Sequence, residues 1–98
     1  MHYVLEVRHL QLVRALAEEG GPTRAAARLH LSQSAVSHQL SSLEAQLGVQ
    51  LFTRVRRRLE LSRAGKRVLE LALATLSEIG RVERELHHGQ PRPKALRV

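Results

Sequence analysis

Thr23-Arg24-Ala25-Ala26-Ala27-Arg28-Leu29-His30-Leu31-Ser32-Gln33-Ser34-Ala35-Val36-Ser37-His38-Gln39-Leu40 reads as two helices joined by a tight turn. Thr23 is placed to cap the first helix, because a threonine hydroxyl satisfies a free N–H at a helix start. Ala25, Ala26 and Ala27 add little bulk, so another helix can approach closely, and Leu29 supplies an apolar anchor. His30 falls where the turn calls for a left-handed residue, a conformation that histidine adopts more readily than bulky or β-branched side chains do. Ser32 caps the second helix, whose apolar positions Ala35, Val36, Leu40, Leu43 and Leu47 share one face, and Gly48 stops it. With Ala26 at the crossing point and Leu29 and Leu31 flanking the turn, the pair is a helix-turn-helix. The outward positions of its second helix are Gln33, Ser34, Ser37, His38 and Ser41, all polar and none acidic.

Upstream, Val7, Leu10, Leu12, Val13 and Leu16 recur at three- and four-residue spacing, which predicts a helix from near Glu6 that ends at Gly20-Gly21-Pro22. Downstream of Gly48 the period changes to about two. Val49, Leu51, Leu59 and Leu61 alternate with polar residues, as in two short strands joined by Arg56-Arg57-Arg58. Ser62 then caps a long helix from Arg63 to about His87, roughly 37 Å at 1.5 Å per residue. Gly89, Pro91 and Pro93 end it, and Lys94 to Val98 look like the start of a further segment. The expected fold is mainly α: a winged helix-turn-helix over 1–62 with a small two-stranded wing, a dimerising linker helix over 63–88, and a hinge over 89–98.

Composition agrees with that class. The 98 residues hold one small domain plus an appendage; 43% are hydrophobic but only 2% aromatic, so the core rests on Leu, Val and Ala, which favours helices over a sandwich. Cysteine is absent, which removes disulfides and thiolate metal sites. Apolar runs fall far short of the ~18 residues that span a bilayer, and the start of the chain lacks a signal-peptide layout; a soluble cytoplasmic protein is expected. The formal net charge of +7 is concentrated. Residues 1–48 carry four Arg against four Glu, whereas 49–67 carry Arg54, Arg56, Arg57, Arg58, Arg63, Lys66 and Arg67 against Glu60 alone. A dense basic focus beside a neutral body is the footprint of a protein that grips a polyanion locally.

The acid-free face suits a DNA major groove. Gln33 can pair two bonds with an adenine edge, and serine hydroxyls can bond bases or phosphates. The arginines of the hairpin from Leu51 to Leu61 would lie along the duplex, where arginine bonds phosphate bidentately or enters a narrow minor groove. One or two of them are expected to pair with Glu60 or with acids on the long helix. On that helix Leu69, Ala72, Leu76 and Ile79 follow three-four spacing and Leu86 extends it. Packing on the first helix accounts for the N-terminal half of this seam but leaves Ile79, Val82 and Leu86 for a partner helix, which predicts a homodimer.

The chain resembles the DNA-binding region and linker helix of LysR-type transcriptional regulators almost end to end. The matching residues are Val7-Arg8-His9-Leu10, Thr23-Arg24-Ala25-Ala26, Leu29 through Ser37, Leu43-Glu44, Leu47-Gly48, Leu51-Phe52-Thr53-Arg54 and Leu61-Ser62-Arg63-Ala64-Gly65. The resemblance implies sequence-specific binding to a partly palindromic double-stranded operator, linker helices that pair across a two-fold, and a tetramer at full length. It places wing contacts on Arg54 and Arg57. Ser32-Gln33-Ser34-Ala35-Val36-Ser37-His38-Gln39 is similar to the subgroup controlling methionine biosynthesis, although most relatives carry Pro near Ser34 and Arg at His38. Gly20-Gly21-Pro22 departs from the family, which sets an aromatic or aliphatic residue before the threonine. The candidate DNA-binding residues are therefore Thr23, Ser32, Gln33, Ser34, Ser37, His38, Ser41, Arg54, Arg57 and Arg58. No cofactor is expected within this chain, since the family binds its coinducer, homocysteine in methionine-type relatives, in a C-terminal effector domain.

An enzyme is disfavoured by the lack of a Gly-rich phosphate loop, a Gly-x-Ser-x-Gly elbow or a polar carboxylate pair. Metal binding is disfavoured because His87 and His88 are adjacent and point to different faces, while the other histidines have no i,i+4 partner of ligand character. The remaining alternative is a helical protein-interaction module without specific DNA binding.

Overall fold

The computed structural model describes residues 3–89, so the expected hinge over 89–98 lies almost wholly outside the described residues. Five helical and strand segments precede the last helix in chain order: α1 (Val7–Glu19), α2 (Pro22–Leu29), α3 (Gln33–Leu47), β1 (Phe52–Val55) and β2 (Arg58–Leu61), followed by α4 (Arg63–Gly89).

Apolar spacing builds the body around α1. Leu12, Val13, Ala15 and Leu16 line its buried face and meet Ala25 and Ala26 of α2, Val36 and Leu43 of α3, and Leu51 and Phe52 at the wing root. Each fully buried Leu or Val contributes roughly 1.5–3 kcal/mol. On α3 the buried face is narrower than the sequence predicts: only Val36 and Leu43 are fully covered, and Ala35, Leu40 and Leu47 are half-buried. Leu31, at the turn, is exposed.

Helix ends follow local chemistry, with one correction. Thr23 does not cap α2; the helix starts one residue earlier, with Gly21 as N-cap and Pro22 in its first turn. Proline fits there because its fixed φ suits the first turn and its missing N–H has no partner to lose. Ser32 caps α3 as expected, its Oγ accepting from the Ala35 N–H at 3.0 Å. His30 is left-handed at φ 60° and closes α2. Gly48, at φ 74°, ends α3 in the same region, where glycine carries no Cβ penalty.

The wing is a two-stranded antiparallel hairpin with Phe52 opposite Leu61, Thr53 opposite Glu60, Arg54 opposite Leu59 and Val55 opposite Arg58. The connection is shorter than the sequence predicts, because Arg58 belongs to β2, and the first strand starts later, at Phe52, which leaves Val49 and Leu51 before it. The two linking residues, Arg56 and Arg57, both have positive φ, 53° and 71°. That is the pattern of a type I′ turn, whose twist matches the flanking strands.

Helix α4 opens under the cap of Ser62, whose Oγ accepts from the Gly65 N–H at 3.0 Å and donates to the Gln50 carbonyl at 2.6 Å. Its first half packs on α1 and buries Ala72, with Val68 and Leu69 half-covered. Leu76 and Ile79 border an open groove together with Val7, Gln11 and Leu29. Beyond it, Val82 and Leu86 are exposed, as are Leu71, eleven residues back on the same side of the helix, and Leu73 on the opposite side. The His87 and His88 rings, expected on different faces, meet edge to face with centroids 4.9 Å apart. Side-chain torsions thus bridge the 100° between neighbouring helical positions. No helix among the described residues is long and apolar enough to cross a membrane.

Candidate nucleic-acid interface

All ten residues singled out by the sequence are exposed: Thr23, Ser32, Gln33, Ser34, Ser37, His38, Ser41, Arg54, Arg57 and Arg58. Those on α3 spread over roughly 140° of the helix surface at 100° per residue, opposite Val36 and Leu43. The N-terminal end of this face is tied down. Ser32 Oγ, already engaged as the cap, lies 3.2 Å from Ser34 Oγ, and Thr23 donates its hydroxyl to Gln33 Oε1 at 3.1 Å. Thr23, displaced from the capping role, thus links the first turn of α2 to the first residue of α3.

The hairpin divides its arginines between two faces. Residues directly opposite in an antiparallel pair share a face, so Arg54 and Leu59 lie with Phe52 and Leu61 on the side turned to the body. Arg54 there borders a hollow with Ser37, Leu40 and Ser41 of α3. Arg58 occupies the outer face opposite Val55, and Arg57 stands at the tip. Pro22 also lines the hollow, which shows how the unusual Gly20-Gly21-Pro22 segment packs.

Charge pairing leaves this surface positive. Among the described residues, six of the nine glutamates are held in ion pairs elsewhere: Glu6 with Arg8, Glu18 and Glu19 with Arg28, Glu70 with Arg67, and Glu78 and Glu85 with Arg81. Arg28 thereby clamps α2 to α1 at 2.8 and 3.3 Å, and its two carboxylates raise its affinity for the proton. By contrast, among the described residues no ion pair involves Arg54, Arg56, Arg57, Arg58, Arg63 or Lys66. The expected pairing of wing arginines with Glu60 does not form, because Glu60 stands opposite Thr53 rather than opposite a basic residue.

One positioning residue escaped the sequence reading. Glu44 Oε2 accepts from the N–H groups of Leu51 and Phe52 at 2.6 and 3.2 Å, and so fastens the wing root to α3. Glu44 is the single carboxylate between Glu19 and Glu60, but that isolation does not reveal its backbone partners. Among the described residues no group of three or more His, Cys, Asp or Glu side chains gathers as a metal site.

The profile of the bacterial regulatory helix-turn-helix proteins of the lysR family matches residues 7–66, which carry α1 to α3, the wing and the start of α4. The chain belongs to the LysR family. Among its relatives, the transcriptional regulator MetR of Haemophilus influenzae is 42% identical over 82 residues, 84% of this chain and 26% of MetR. That similarity agrees with the methionine-regulator likeness of Ser32 to Gln39. The chain therefore spans about a quarter of the length of such a relative. Two solved LysR-family structures share the fold: the CbnR_DBD–DNA complex, at 40% identity and a TM-score of 0.75, and the BenM_DBD/benA site 1 DNA complex, at 30% and 0.80. Each match covers 88% of this chain and 100% of the other.

Proposed function

We propose that the chain is the sequence-specific DNA-binding part of a LysR-type transcriptional regulator, with α3 in the major groove and the wing on the backbone or in the minor groove. The observation that carries this reading is the joining of two surfaces: the acid-free face of α3 meets, at Arg54, a hairpin whose arginines enter no ion pair among the described residues. Gln33, Ser34, Ser37, His38 and Ser41 read base edges or adjacent phosphates. Thr23 and Ser32 sit at helix starts, where backbone N–H groups favour phosphate. Arg54, Arg57 and Arg58 contact the duplex flank. The DNA complexes of CbnR_DBD and BenM_DBD support the same mode.

In this reading residues 1–62 form the DNA-binding unit and 63–88 a linker helix that pairs with a second copy, giving a homodimer on a partly palindromic operator and a tetramer in the intact regulator. The exposed Val82 and Leu86 support the pairing. The protein works as a regulator in the cytoplasm and not as an enzyme, as its relatives' names support. Anisotropy titrations of specific and random duplexes over a salt series test the reading. Specific DNA should bind at least ~10³-fold more tightly than random DNA, with affinity falling steeply as salt rises. Equal and salt-insensitive affinities would instead leave a helical protein-interaction module.

A further inference from the structure

Followed toward Gly48, the acid-free face of α3 ends on an acid. Glu44 lies eleven residues after Gln33 and seven after Ser37, which at 100° per residue sets it within about 20° of both around the helix axis. Its carboxylate is half-buried, and no cation among the described residues pairs with it. On a surface that faces phosphates such a charge repels the ligand, so by Coulomb's law alone its removal should tighten binding. The bonds that Glu44 makes give it a different part. Its Oε2 accepts from two successive N–H groups, Leu51 at 2.6 Å and Phe52 at 3.2 Å. Successive N–H groups of an extended strand point to opposite edges, so their convergence on one oxygen means that the chain turns here, where β1 begins.

The start of α4 holds the same stretch from its other side. The Leu51 carbonyl accepts from the Ser62 N–H at 2.9 Å, and the Gln50 carbonyl accepts from the Ser62 hydroxyl at 2.6 Å. The wing root therefore hangs between α3 and α4. Leu51 and Phe52 are buried in the core, but apolar burial is non-directional and fixes the depth of the root, whereas directed hydrogen bonds fix its rotation. Without the Glu44 oxygen, residues 50–52 keep side-chain and backbone bonds to Ser62 and none to an α3 side chain, so the hairpin that carries Arg54 and Arg57 can turn against the helix. We infer that Glu44 is a positioning residue that holds the wing in register with the reading face of α3, and so strengthens the grip on a polyanion that its own charge repels. The inference rests on the DNA-binding reading above.

Two substitutions in the whole chain separate reach from charge. Glu44→Asp keeps the charge but draws the oxygens back by one methylene from the two N–H groups; Glu44→Gln keeps an oxygen at the same reach and removes the charge. At a temperature where melts show each variant folded, Glu44→Asp should bind the preferred duplex at least about tenfold more weakly. It should also flatten the log-affinity against log-salt line by about two units, one for each of Arg54 and Arg57, although no cation has been removed. Glu44→Gln should bind at least as tightly as the parent chain, with the parental slope. Wing placement is read separately, without DNA. The chain has no cysteine, so spin labels on Gln46→Cys and Arg56→Cys, two exposed positions, report the distance from α3 to the wing tip. Its distribution should be alike in the parent and Glu44→Gln and broader or displaced in Glu44→Asp. An unchanged distribution in Glu44→Asp overturns the inference whether or not the chain binds DNA. Parental affinity and slope in Glu44→Asp also overturn it, as does a Glu44→Gln variant that binds as weakly as Glu44→Asp. A parent chain that binds specific and random duplexes equally overturns the DNA-binding reading, and the inference with it, even where the distance distribution responds.

Discussion

In the proposed binding mode Gln33 reads a base and the wing arginines supply charge, and single substitutions separate the two. Gln33→Ala should cost about 1–3 kcal/mol on the preferred site and relax one base position, with folding nearly unchanged; quantitative titration of single-base-pair variants checks this. Arg54→Ala and Arg57→Ala should each weaken specific and random DNA by similar factors and flatten the log-affinity against log-salt line by about one unit. An A·T-rich flank preference that disappears with either arginine would mark a minor-groove contact instead. His9 is a residue-scale case of another kind. It is buried, and its Nδ1 accepts from the Glu6 N–H at 3.0 Å, so the ring must be neutral at that atom. Burial first, and then the neighbouring Arg8 charge, push its pKa below the ordinary histidine value. The unfolded chain therefore takes up a proton before the folded chain does. Stability from this group is complete above about pH 6.5 and is lost as pH falls from there through the folded-state value. Urea melts between pH 7.5 and 5 should show that decline in the parent chain and a flatter profile in His9→Gln.

At the level of elements, the joint between wing and long helix holds the most crowded of the glycine positions among the described residues. A Cβ on Gly65 would sit 2.0 Å from the Leu51 carbonyl oxygen, a backbone atom that cannot move aside cheaply. Gly65→Ala should therefore destabilise by about 3 kcal/mol despite alanine's better helix propensity, and denaturant unfolding would measure it. The sequence reveals Gly65 as part of a family pattern but gives no hint of the clash, because the contact joins residues fourteen apart through the fold. The same holds for Glu44, whose two bonds run to backbone N–H groups that carry no residue-type signature. Caps and periodicities are different, since Ser32, His30, Gly48 and Ser62 act on neighbours within a few positions and their roles were legible directly. Thr23 misled because hydroxyl capping and proline at the first turn are competing ways to start a helix, and at Gly21-Pro22 the proline won.

For the whole molecule, the geometry to test is the relation between two copies. In the proposed dimer, with α4 pairing across a two-fold, two α3 helices should enter major grooves about one helical turn apart, or a multiple of it. Inserting half a turn of DNA between the half-sites should abolish most of the affinity in a mobility-shift series, whereas equal binding would contradict the two-fold arrangement.

The turn at Arg56 and Arg57 has a consequence for how such a domain can change. A left-handed backbone costs a side-chain-bearing residue roughly 1–2 kcal/mol, and this site favours Asn-Gly instead. A small domain has only some 5–15 kcal/mol of net stability to draw on. Replacing Arg56 by Asn and Arg57 by Gly should accordingly raise the melting temperature while weakening attraction to DNA. The substitution that relieves the backbone also removes two positive charges, so on the proposed wing contact robustness and grip would pull in opposite directions at one two-residue turn.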